Sequence, residues 1–166
     1  MKKAISLLIF VFLLTAAGGT AGAEIFKNHT GGVSIWLPDD WEIDSEEEIG
    51  ALYADAPQGD SFCVLRLLLK ENNLRQALRT YNALILKEEI DDFNALSDVR
   101  QGELNGMTTD FFSGEGQRDD ETWTVEVALI VVKESVLLCA IGWEKDEKDQ
   151  FAPLVDKIFP SIKKLD

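Results

Sequence analysis

Alternation opens the readable part of the chain. Val33, Ile35 and Leu37 alternate with Ser34 and Trp36, which predicts a strand with one buried face. Pro38-Asp39-Asp40 turns the chain, Trp41 to Ile43 resumes a short extended piece, and Ser45 to Glu48 reads as an acidic loop. Ile49 to Ala54 reads as a strand, ended by the turn-rich run Asp55 to Asp60. Ser61 to Leu69 is apolar on both faces except at Arg66, the pattern of a central strand covered on both sides. From a cap at Asn72 or Asn73 to about Ile90 the period changes. Leu74, Ala77, Leu78, Tyr81, Leu84 and Ile85 fall on one helix face. Ala95 to Leu104 is extended again. Asn105-Gly106 follows, the preferred pair for a two-residue hairpin because both residues tolerate positive φ, and Met107 to Gly114 returns antiparallel. After a polar turn at Arg118 to Glu121, Trp123 to Lys133 is a long strand with Val125, Val127, Leu129 and Val131 on one face. Glu134-Ser135 turns into Val136 to Trp143. From about Asp149, Phe151, Leu154, Val155, Ile158, Phe159 and Ile162 form a helical stripe. Pro153 falls near the first turn of that helix; Pro160 is expected to kink or end it, leaving a short final turn.

These elements predict an α+β domain: an antiparallel sheet of about six to seven strands with two main helices. Strands that are apolar on both faces place the helices on opposite sides, an α/β/α sandwich. The rival arrangement covers one face and leaves the other to solvent or a partner. Residues 24–32, polar and carrying Gly31-Gly32, read as a loose lead-in.

Ahead of that lead-in the chain changes character. Lys2 and Lys3 precede an apolar run from Ala4 to Leu14, and small residues follow as far as Ala21-Gly22-Ala23. That order is a secretory signal peptide cleaved after Ala23, leaving 24–166 as one domain. The apolar run falls short of the ~20 residues a helix needs to cross a bilayer, so no membrane insertion is expected after cleavage. The expected location is the periplasm or the extracellular medium. The composition, 46% hydrophobic and 28% charged, is that of a globular protein. The chain's net charge is −14. Two of its 16 basic residues lie in the leader and all 30 acidic ones lie after it, so the mature chain sets 14 against 30, or −16. Such a field repels phosphate backbones and anionic lipids, excludes nucleic acid as a partner, and draws cationic partners.

Export makes a disulfide permissible between Cys63 and Cys139, which both lie in apolar runs. It would close a loop of ~75 residues and stabilise by roughly 4 kcal/mol; the alternative is two free thiols acting as small core residues. Catalytic residues are not evident. The only histidine, His29, sits in the lead-in, and two separated cysteines offer no zinc spacing. The acidic clusters Asp39-Asp40, Glu46-Glu47-Glu48, Asp91-Asp92 and Asp119-Asp120-Glu121 read as solvated turns, without a calcium-loop pattern. Gly114-Glu115-Gly116 lacks the lysine and following helix of a phosphate loop. Asn28-His29-Thr30 matches a glycosylation sequon that a bacterial type of leader makes accidental. Of the four tryptophans, Trp36 and Trp41 flank the Pro38 turn. With Asp39 and Asp40 they are the candidate partner surface, since aromatics anchor interfaces.

The segment VSIWLPDDWEID, Val33 to Asp44, then resembles the opening of the PsbP/DcrB-like exported domains, with Leu37-Pro38-x-x-Trp41 its local motif. The later layout is similar as well: the Asn105-Gly106 hairpin, the pair WTVEVALIVVK and VLLCAIGW, and a last helix ending IFPSIKKL. The resemblance implies an antiparallel sheet between helices and a binding or accessory role without a shared active site. It carries over no functional residue. The chain is thus expected to be a non-enzymatic exported protein of the bacterial envelope that engages a protein partner and needs no cofactor. Two other readings stand beside it: a small-molecule or calcium-binding domain, and a hydrolase working with carboxylates alone, which requires a concave site with two facing carboxylates.

Overall fold

The computed structural model describes residues 23–68, 90–95, 97–133 and 135–165. Eleven strands and one α-helix lie among them. The strands are β1 Ala23–Asn28, β2 Val33–Pro38, β3 Glu42–Glu46, β4 Ala51–Asp55, β5 Ser61–Leu68, β6 Asp91–Ala95, β7 Arg100–Leu104, β8 Met107–Arg118, β9 Glu121–Val132, β10 Ser135–Glu144 and β11 Lys163–Lys164. The helix, α1, is Lys148–Ser161. An eight-stranded sheet runs β3-β4-β5-β10-β9-β8-β6, with β7 sharing the β8 edge; β1-β2-β11 form a small second sheet. Every pairing is antiparallel. The α+β class and the antiparallel sheet are as expected, but the strands outnumber the six to seven predicted. One α-helix stands where two were expected; the segment from Asn72 or Asn73 to Ile90 lies outside the described residues apart from Ile90.

Three local expectations need correcting. Residues 23–28 are a strand rather than a loose lead-in, in register with β2 from Ala23↔Pro38 to Asn28↔Val33. Phe26 packs against the core while Ile25 is 65% exposed, so this edge strand buries too little to announce itself. Its last residue holds the following turn, because Asn28 Nδ2 donates to Gly50 O (2.9 Å) and Asn28 Oδ1 accepts from Gly31 N (2.6 Å). The acidic stretch is not a loop up to Glu46, since β3 runs that far before a single 3-10 turn at Glu47–Ile49. The extended segment expected from Ala95 to Leu104 is split: β6 ends at Ala95, and β7 begins at Arg100.

Both faces of the large sheet are buried, and the register says how. On one face lie Val125, Val127 and Leu129 of β9 with Val136, Leu138 and Ala140 of β10. On the other lie Ala128, Ile130, Leu137, Cys139 and Ile141, covered by α1 and by Val33, Ile35 and Leu37 of β2. Phe151, Ile158 and Phe159 of α1 are buried there, each contributing about 1.5–3 kcal/mol. Pro153 falls in the second turn, later than expected. Pro160 stands one residue before the helix end, and the chain continues as β11 rather than a final turn.

Gly114 and Gly116 explain how β6 fits its neighbour. A Cβ at Gly116 would sit 2.1 Å from Ile90 Cγ2, and one at Gly114 2.3 Å from Phe93 Cζ. The two glycines keep one face of β8 bare so that these side chains can lie across it. The β7–β8 turn has Asn105 at φ 49° and Gly106 at φ 76°, the left-handed pair that a type I′ hairpin requires. Asn105 Nδ2 also donates to Pro160 O (2.9 Å) and Ile162 O (2.7 Å), tying the hairpin to the end of α1.

Candidate functional site

Where α1 leaves the sheet toward β7, a groove of about 770 Å³ opens. Its floor follows from strand register. Thr124 of β9 pairs with Trp143 on one side and Glu115 on the other; Glu126 pairs with Ile141 and Ser113; Phe111 pairs with Ala128 and Arg100. Side chains alternate across a strand, so Trp143, Thr124, Glu115, Glu126, Ser113, Phe111 and Arg100 share this face. The wall is α1. Lys148, Ala152, Asp156 and Pro160 recur every four residues, with Val155 and Phe159 beside them, which places all six along one side of the helix.

The groove mixes apolar surface with opposed charges. Lys145 Nζ and Glu115 Oε1 form an ion pair at 2.9 Å across its mouth. Glu126 is half-buried. Burial pushes its carboxyl above the usual range, Arg100 pulls it down, Asp156 pushes it up and Lys148 pulls it down. Neither Arg100 nor Lys148 comes within the 4.0 Å of an ion pair with Glu126. Setting aside the internal Glu115–Lys145 pair, two cations, Arg100 and Lys148, stand against two carboxylates, Glu126 and Asp156. Trp143 is 2% exposed, and its indole N–H finds no acceptor among the described residues.

The residues singled out from sequence are placed elsewhere. Asp39 and Asp40 are exposed at the β2–β3 turn, Trp36 is half-buried, and Trp41 is 7% exposed. Trp41 and Asp40 share the rim of a smaller hollow of about 280 Å³ with Pro57, Gln58 and Leu154; Trp36 and Asp39 do not line it. Cys63 and Cys139 are buried free thiols. Cys63 pairs with Ile141 and Cys139 with Leu65, which makes the two cysteines diagonal neighbours on β5 and β10. A hydrogen bond with Cys63 and burial hold the Cys139 thiol well above its ordinary pKa. His29 is exposed in the β1–β2 turn. Among the described residues, no group of three or more His, Cys, Asp or Glu is placed to hold a metal ion, and no helix is long and apolar enough to cross a membrane.

The groove's own residues went unnoticed in the sequence. One signal was present: Thr124 and Glu126 interrupt the inner face of an otherwise apolar strand, where a simple core would carry aliphatic residues.

No protein-family profile matches the chain, and no curated protein matches it in sequence. Solved structures do. The cyanobacterial PsbP protein CyanoP of Synechocystis superposes with a TM-score of 0.61 at 10% identity, covering 91% of this chain and 98% of that one. The chain has the PsbP-like fold. The Ran-binding protein Mog1p of Saccharomyces cerevisiae superposes with a TM-score of 0.56 at 11% identity, covering 89% of this chain and 97% of its own. LpqN, involved in cell envelope biogenesis of Mycobacterium tuberculosis, gives 0.54 at 14% identity, covering 90% and 88%. At such identities the PsbP-like fold is what is shared. The charges and aromatics of the groove are therefore read from this chain's own residues.

Proposed function

We propose that this is an exported, non-enzymatic binding or accessory protein of the bacterial envelope, engaging a protein partner through the groove beside α1. The observation that carries the reading is the groove itself, a concavity of about 770 Å³ with aromatic surface and opposed, directly unpaired charges. Export rests on the leader-like pattern of residues 1–23. The binding role is supported by the fold: Mog1p is Ran-binding and LpqN serves the cell envelope. The buried face formed by Val125, Val127 and Leu129 supports the finer expectation of an α/β/α sandwich.

The test is a photo-reactive residue at Ser113, in the groove, against one at exposed Lys27 on the small sheet. Irradiation of the native envelope should give a discrete adduct from Ser113 and none from Lys27. No adduct, or the same adduct from both, overturns the reading.

One observation favours a second reading. Glu126 and Asp156 are two carboxylates facing one groove, and one of them is raised, the pattern of an acid–base pair. A carboxylate-based hydrolase would lose turnover on Glu126→Gln, in a screen of glycosides and peptides that the unaltered protein cleaves. If the unaltered protein cleaves none of them, this reading falls.

A further inference from the structure

We propose that the groove beside α1 binds a short zwitterionic peptide carrying an apolar side chain, its carboxylate held by Arg100 and Lys148 and its ammonium by Glu126 and Asp156. The inference rests on the groove being a binding site and goes further by naming the ligand's chemistry.

Two independent features select that class. The first is charge. Once Glu115 and Lys145 have paired with each other, the remaining groups balance as two cations and two carboxylates. A purely anionic ligand would leave Glu126 and Asp156 unanswered and would approach against a strongly negative protein. A purely cationic ligand would meet Arg100 and Lys148. A molecule with both charges answers all four. Glu126 stands near Arg100 and Lys148 without touching either, so its oxygens are open to a ligand's donors.

The second feature is shape and surface. Leu104, Phe111, Trp143, Val155 and Phe159 give the apolar contact that a Leu or Phe side chain needs, and about 770 Å³ falls within the ~300–1,000 Å³ of small-ligand sites. A single amino acid would leave much of that space to water.

Calorimetric titration of the purified protein with L-leucyl-L-phenylalanine tests the idea, beside its N-acetylated and C-amidated forms. The expected result is saturable one-to-one binding, weakened tenfold or more by blocking either end. Arg100→Met should weaken the free dipeptide about as much as amidation does, and should add little to the loss seen with the amide. Glu126→Gln should do the same with respect to acetylation. That cross-dependence is the signature of the assigned contacts. No saturable heat from the free dipeptide overturns the proposal, as does equal binding of all three forms. The blocked ligands make the test on the unaltered protein, so it holds even where a variant misfolds. If the dipeptide fails while Ser113 still cross-links a partner, this inference falls and the binding function stands.

Discussion

Asn105 is the residue whose replacement reads out most of the architecture. It sits at φ 49° in the β7–β8 turn, and its side chain donates to Pro160 O and Ile162 O. Asn105→Ala removes both hydrogen bonds, each with a net contribution of about 1 kcal/mol. It also forces a Cβ-bearing residue without a local polar side chain into the left-handed region, at about 1 kcal/mol more. The expected loss is about 3 kcal/mol. With a urea m-value of roughly 2 kcal/mol/M, the midpoint falls by about 1.5 M. Asn105→Gly separates the two parts: it relaxes the backbone and still loses the bonds, for a loss of about 2 kcal/mol. Asn105→Asp keeps the turn preference but aims a carboxylate at two carbonyl oxygens, and should be at least as damaging as alanine. Urea denaturation followed by circular dichroism gives all three midpoints. A glycine variant as stable as the unaltered protein would show that the bonds to α1 contribute nothing. Alanine and glycine of equal stability would refute the backbone argument. The substitution also reaches the groove, because Leu104, Phe159 and Pro160 line the end that Asn105 holds together.

Other consequences are as direct. Glu126 has a raised carboxyl, so the folded state takes up its proton more readily than the unfolded chain. Its stabilising contribution is complete below the unfolded pKa and is lost as pH rises through the folded one. Glu126→Gln should therefore raise Tm at pH 7, with the gain shrinking toward zero below the unfolded carboxylate range; a gain that grows on acidification would contradict this. Gly116→Ala places a Cβ against Ile90 and Asp91 O and should cost about 1–3 kcal/mol in urea denaturation, while the same change at open Gly59 should show only the strain of its positive φ. Cys63 and Cys139, as diagonal neighbours, should have Cα atoms ~7–8 Å apart, beyond the ~6.8 Å a disulfide spans without backbone movement. A thiol reagent should find no reactive cysteine in the native protein and two in denaturant; a mass consistent with an internal bridge would refute the geometry.

Much of the fold was legible because it rests on local periodicity. β2 shows clean alternation, Asn105-Gly106 announces its hairpin, and Phe151 to Ile162 repeats with the helical period of α1. β1 was hard to read because it is an edge strand that buries little, and its register is imposed by β2. β6 depends on the bare glycines of β8: Gly114 and Gly116, whose spacing suggests a glycine-rich loop, instead seat Phe93 and Ile90. The groove was hidden more deeply. Arg100, Glu126 and Asp156 are far apart along the chain, and only the β7-β8-β9 register and the docking of α1 bring them together. Glu126 alone left a trace, as a charge inside an aliphatic strand.

The small sheet joins two segments far apart in the sequence, β1 and β11, to one strand. Val33 and Ser34 of β2 pair with Asn28 and Lys27 on one side and with Lys164 and Lys163 on the other. β2 gains this second neighbour only through a pairing between segments far apart along the chain, the kind of contact that forms late because its loop-closure entropy must be met first. A chain clipped before Lys163 keeps β2 as an open edge, whose unpaired backbone groups are a template for another strand.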